Sequence, residues 1–289
     1  MMIVPPPQPH FFDVQLPKTR LHVVRTGQGE PLLVVPATIS YLDDWIDLVR
    51  FAGQRYETFF FELPGHGRST PFPEPYRSDL VAESVEALLD TLGIPQVTLL
   101  GFSFGGILAL KTLEHLSDRI KTVVLLAPCV GTRSLTYSAQ KQGMLRLLVS
   151  LFHSTQAQQY LRQIIQHPLF LDFLMHVLIV WGKVDCAAAL RLKLQQISPS
   201  TLDVLLYQIG EILTLQFPPR EAPFPQSCYL AMSVHDPLLD FAEVHNFLRQ
   251  TFANLHTMRF THRYHQPPQR LSFADYNEQY GYFLEMVTD

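Results

Sequence analysis

The sequence predicts an α/β fold: a mostly parallel twisted sheet flanked by helices, with an all-helical segment inserted into it. Three observations carry this. Short apolar runs such as 31–36 and 120–126 alternate with stretches of helical period. Runs of that length and composition fit strands buried on both faces, and strands alternating with helices build a parallel sheet. The alternation stops near Gly131, gives only helical pattern over 132–223, and resumes with a strand at Cys228.

The bulk properties agree. A chain of 289 residues, 47% hydrophobic and 17% charged, has enough apolar material for a large core. That length fits one large domain or a core with a sizeable insertion. The expected organisation is a first core part at 1–131, a helical cap at 132–223 and a second core part at 224–289. A formal net charge of -4 gives no electrostatic argument for nucleic acid or anionic lipid. Cys129, Cys186 and Cys228 lie far apart and form no metal spacing, which suits buried thiols in a reducing compartment. The first residues have neither a basic nor a long apolar region, and so do not read as a signal peptide. The longest apolar stretch, 170–181, contains Asp172 and His176 and is too short for a membrane span. A soluble cytoplasmic protein with a small-molecule partner is expected; its oligomeric state is left open.

In chain order, 11–16 and 20–26 read as a hairpin around Pro17-Lys18-Thr19. A buried strand at 31–36, a helix at 43–53 and a strand at 56–63 follow. The last of these ends in Pro64-Gly65-His66-Gly67-Arg68-Ser69. A helix at 78–92, a strand from Val97 and its helix to about Leu116, and a strand at 120–126 complete the first part. In the insertion, helices are expected at 143–152, 156–166, 169–181, 185–196 and 201–215, with breaks at His167-Pro168, Gly182 and Ser198-Pro199-Ser200. The apolar content of this block exceeds what a single-sided layer needs. Either its helices pack on one another and the core, or they also line an apolar pocket. A strand at 228–233, a helix at 241–251, a strand at 256–261 and a helix at 273–286 close the chain.

The chemistry gathers at Gly101-Phe102-Ser103-Phe104-Gly105-Gly106. Gly-x-Ser-x-Gly occurs by chance in roughly one chain in ten of this length, so its context decides. Here an apolar strand precedes it and a buried helix follows, which describes a nucleophile elbow. A serine hydroxyl is a weak nucleophile and needs a base beside it. The tight turn holds Oγ clear of the sheet, and the flanking glycines let helix and strands approach closely.

A base and an orienting acid should follow the serine in chain order. Asp236, in Ser233-Val234-His235-Asp236-Pro237, lies just past a strand. Asp240 is the fallback, and a helix cap is the structural alternative for Asp236. Thr261-His262-Arg263-Tyr264-His265 offers two histidines beyond the last strand. His265 is the preferred base, because a loop can bring it over the serine, and His262 is the other candidate. An oxyanion hole needs two N–H donors. Phe104, after the nucleophile, supplies one; Thr38, in the loop Pro36-Ala37-Thr38-Ile39-Ser40, is the best-placed second. Phe102, Phe104 and Tyr264 are candidates for lining a pocket or for core.

With these residues the chain resembles the α/β-hydrolase fold family with a helical cap, over nearly its whole length. The turn Leu63-Pro64-Gly65-His66-Gly67-Arg68-Ser69 is similar to a family segment in which Glu62 stands where Asp is common. The resemblance implies Ser103 as nucleophile, His265 as general base and acid, and Asp236 as orienting carboxylate, with no metal or organic cofactor needed. The implied activity is a serine esterase or thioesterase on a small to medium apolar substrate. Carbon–carbon bond hydrolysis and cofactor-free haloperoxidase chemistry use the same triad. The chain departs from the family at Pro36-Ala37, where His-Gly is usual, and at Tyr264, where Gly is usual. The altered oxyanion loop also admits a non-catalytic ligand- or partner-binding protein on the same scaffold.

Overall fold

The computed structural model describes residues 7–152, 154–180, 182 and 187–288. Eight strands form one sheet in the order β1-β2-β4-β3-β5-β6-β7-β8. The strands are β1 (His10–Gln15), β2 (Arg20–Thr26), β3 (Pro31–Val35), β4 (Glu57–Phe61), β5 (Val97–Phe102), β6 (Ile120–Leu126), β7 (Phe224–Ser233) and β8 (Phe252–Phe260). β2 runs antiparallel to β1 and β4, and every pairing from β4 to β8 is parallel. Side chains on a strand alternate between faces. Leu33, Leu99 and Val123 therefore enter one core with α2 (Ser78–Thr91), α3 (Gly105–His115) and α9 (Phe241–Thr251). Leu32, Leu100 and Val124 enter the other, with α1 (Leu42–Ala52) and α10 (Phe273–Thr288). Both faces of the sheet are covered, which is why these strands are apolar throughout.

Between β6 and β7 lie α4 (Ala139–Ser150), α5 (Thr155–Gln166), α6 (Pro168–Val180), α7 (Ala187–Gln195) and α8 (Pro199–Thr214). The two ends of this block are tied together: Thr132 donates to the Leu215 carbonyl through its backbone N–H at 3.0 Å and its hydroxyl at 2.8 Å. The helices share a small core of their own, including Ile165, Leu171, Met175 and Leu206, and that core also receives Ile39 from the loop after β3. α8 rests on the sheet domain. Its Thr201 hydroxyl donates to the Gly65 carbonyl at 2.9 Å, and Ser78 of α2 donates to Glu211 at 2.5 Å.

Several boundaries differ from expectation for local reasons. α4 starts at Ala139, ahead of 143, because the Ser138 hydroxyl caps it by accepting from Lys141 N–H. The break expected at Ser198-Pro199-Ser200 separates α7 from α8, but α8 starts within it, at Pro199 and ahead of 201, with Ser198 as cap and Pro199 in the first turn. β7 reaches back to Phe224, with a register irregularity between Phe224 and Ser227 where Pro225 offers no N–H. Trp181, Cys186 and the opening residues to 6 lie outside the described residues. Cys129 and Cys228 are buried free thiols, and burial raises the pKa of both. Among the described residues no single helix is long and apolar enough to cross a membrane.

Candidate active site

The elbow forms where β5 meets α3. Ser103 adopts φ +52°, a strained conformation for a residue with a Cβ. Neighbouring backbone holds it there. Its N–H donates to the Leu126 carbonyl at 3.1 Å, and its carbonyl accepts from Cys129 N–H at 2.8 Å. The turn also requires bare glycines. A Cβ on Gly105 would lie 2.6 Å from the Val35 carbonyl oxygen, and one on Gly101 would overlap the Gly105 carbonyl.

The acid and the histidine arrive on adjacent loops. β7 and β8 are paired to their ends, Ser233 opposite Phe260. Val234 N–H then donates to the Phe260 carbonyl at 2.9 Å, and the Ser233 hydroxyl donates to the His262 carbonyl. These bonds bring the loop of Asp236 against the loop of His265. His265 Nδ1 lies 2.7 Å from Asp236 Oδ2, and its Nε2 lies 2.8 Å from Ser103 Oγ. Asp236 and His265 are both buried, while Ser103 is half-buried.

Asp236 combines both readings of its sequence. Oδ1 accepts Leu238 N–H at 2.8 Å and Leu239 N–H at 3.0 Å, leaving Oδ2 for the imidazole. The turn bonds fix the carboxylate that faces His265. Asp240 caps α9 instead, accepting from Glu243 N–H. His262 is turned aside: its ring stacks on Tyr264 at 4.0 Å, and its Nδ1 lies 3.0 Å from the Tyr264 carbonyl. Its pKa is lowered, chiefly by burial.

Phe104 stands at the N-cap of α3, where a backbone N–H has no intrahelical acceptor. Its side chain is fully buried in the sheet core, which decides between pocket lining and core in favour of core. Phe102 is half-buried and stacks on His265. Thr38 is half-buried in the loop that follows β3. In that loop the left-handed conformation falls on Ile39, at φ +46°, and not on Ala37.

Two residues around this loop were not singled out as site residues. Lys193 of α7 donates to the Ile39 carbonyl at 2.9 Å and pairs with Asp44 at 2.7 Å. Glu62 accepts Leu42 N–H at 3.2 Å, where the loop enters α1, and Arg68 N–H at 2.6 Å. Glu62 had a sequence signal in its turn motif. Lys193 had none, because its partners lie on distant segments.

Residues 30–164 match the family model described as the alpha/beta hydrolase fold. That segment includes Ser103, Phe104 and Thr38; Asp236 and His265 lie beyond it. The chain is similar to 3-oxoadipate enol-lactonase 2 of Acinetobacter baylyi, 30% identical over 40% of this chain and 45% of that protein. It is likewise similar to the poly(3-hydroxyalkanoate) depolymerase of Ectopseudomonas oleovorans, 31% identical over 43% and 46%. The chain thus spans about half the length of the curated relatives it matches. Its fold is similar to that of a lipase described as putative, lip1 from Acinetobacter baumannii AYE, with a TM-score of 0.66, 17% identity, and coverage of 96% of this chain and 92% of the other.

Proposed function

We propose that this chain, an α/β-hydrolase by fold, is a serine hydrolase that works through an acyl-enzyme on small to medium apolar esters or thioesters. The observation that carries the reading is the unbroken line from Ser103 Oγ through His265 to Asp236, at 2.8 and 2.7 Å. His265 takes the Ser103 proton as Oγ attacks the acyl carbon. Asp236 orients the ring and stabilises the imidazolium. The N–H groups of Phe104 and Thr38 receive the negative charge that develops on the carbonyl oxygen. His265 then protonates the leaving group, and water, activated by the same imidazole, releases the acid and restores Ser103. The helices between β6 and β7 act as a cap over this centre.

The test uses p-nitrophenyl esters of graded chain length, with Ser103→Ala as control. Wild type should turn over at least one ester, and the variant should be slower by roughly 10⁴-fold or more. A fluorophosphonate probe should label Ser103. Equal rates in both proteins, together with no labelling, overturn the reading and favour a binding protein.

A further inference from the structure

The apolar surplus of the inserted helices is accounted for neither by packing nor by a pocket alone, since much of it faces outward. Among the described residues, the large apolar side chains left exposed concentrate on α4 to α7 and their ends. On α4, Met144, Leu147, Leu148 and Leu151 repeat at the spacing of one helix face. Leu147 is 64% exposed and Leu151 60%, whereas Val149 turns inward. On α6, Leu169 and Phe173 are 76% and 62% exposed, while Leu171 and Met175 are buried. α6 is apolar on both sides, and among the described residues only one side is packed against the rest of the cap.

The charge pattern says what covers the other side. The chain as a whole carries -4, and that total conceals a segregation. From 126 to 171 there is no Asp or Glu, while Arg133, Lys141, Arg146 and Arg162 all fall there; of these, Arg162 also donates to the Ile197 carbonyl and Lys141 lies over the Tyr137 ring, so each keeps its charge beside a contact of its own. Lys141 lies three residues ahead of Met144, on the same side of α4. Asp172, the next acid, is already paired with Arg191. A second copy of this chain meeting the same face would bring like charges together, since a two-fold contact apposes identical patches. An anionic surface with an apolar interior satisfies both features, because leucine and phenylalanine enter the acyl boundary while lysine and arginine remain among the headgroups. α5 and α6 meet at 93°, and among the described residues no single helix is long and apolar enough to cross a membrane.

We propose that the outer face of α4 to α6 docks on an anionic lipid surface, holding the protein at the interface without spanning it. The claim is independent of the hydrolase reading, since binding is measured without turnover.

Flotation with vesicles of phosphatidylcholine alone, and of phosphatidylcholine mixed with phosphatidylglycerol, tests it. The full chain should float with the mixed vesicles at low salt, and binding should weaken as salt is raised. Leu147→Ser with Leu151→Ser should abolish flotation. Lys141→Glu with Arg146→Glu should weaken binding to the mixed vesicles by about tenfold or more. Thermal unfolding followed by circular dichroism identifies variants that have kept the fold; if the leucine pair has not, Phe173→Ser takes its place. No flotation of the wild type overturns the proposal, as does flotation that folded variants leave unchanged. A concentration-dependent dimer in sedimentation that Leu147→Ser with Leu151→Ser dissociates, without vesicle binding, overturns it in favour of self-association.

Discussion

The ring of Phe102 stacks on the imidazole of His265, with centroids 5.3 Å apart and planes inclined by 25°. Trp45 of α1 stands behind it, 5.6 Å from the Phe102 ring. The residue just before the elbow serine thus supports the histidine that faces that serine. An aromatic pair of this kind contributes about 1 kcal/mol beyond its buried area. Phe102→Ala should therefore lower kcat by roughly fivefold with a smaller change in KM, and Phe102→Tyr should keep most of the rate. Steady-state kinetics on one short ester checks both. An unchanged kcat in the alanine variant would remove Phe102 from the positioning of His265.

Asp236→Asn tests the acid. The substitution preserves the oxygen that accepts from Leu238 and Leu239. It places an amide N–H₂ opposite His265 Nδ1, which leaves the other nitrogen protonated and unable to accept from Ser103. The expected loss in kcat is about 10⁴-fold, with the urea midpoint nearly unchanged. A larger loss in Asp240→Asn would show that the orienting carboxylate had been misassigned.

Gly67 adopts φ +50°, and a Cβ there would overlap the Glu62 carboxylate. That carboxylate holds the backbone of Leu42 and Arg68. Gly67→Ala should destabilise the protein by about 1–3 kcal/mol, read as a lower urea midpoint at constant slope. Activity should fall with it, because Leu42 marks the end of the loop that carries Thr38.

Lys193 links the inserted helices to the same loop through Ile39 and Asp44. Lys193→Met keeps the length of the side chain and removes the charge and the donors. A charge-assisted hydrogen bond contributes about 1.5–3 kcal/mol, and only part of that acts on the position of Thr38. The expected outcome is a drop in kcat of roughly fivefold to tenfold with a thermal midpoint close to wild type. A change in KM alone would assign Lys193 to substrate access instead.

His66 is fully buried, and burial lowers its pKa from 6.5 to about 4. The unfolded chain takes up a proton near pH 6.5, while the folded chain does so only near pH 4. Stability therefore declines as pH falls through that window, by up to about 3 kcal/mol from this group. Urea unfolding at pH 7 and pH 4.5 should show the decline, and His66→Gln should reduce its slope. An unaltered slope would place the acid sensitivity in other groups.

The sequence by itself determined the elbow and pointed to Asp236 and His265 as its candidate partners. A strand, a glycine-flanked serine and a helix are local features, recorded in the spacing of neighbouring residues. Asp236 and His265 were legible because parallel sheets gather their functional loops at one edge, so the end of a strand is enough to place a candidate. Tertiary structure decided what spacing cannot encode. It placed His265 within hydrogen-bonding distance of Ser103 and stacked His262 on Tyr264. It sent the Phe104 side chain into the core while leaving its backbone at the start of α3. It joined Lys193 to Ile39 across 154 positions of chain. It also decided which way α4 faces. Periodicity reveals that Met144, Leu147, Leu148 and Leu151 share one side of a helix, but a period has no inside or outside. Only the packing of Val149 inward fixes that stripe on the surface.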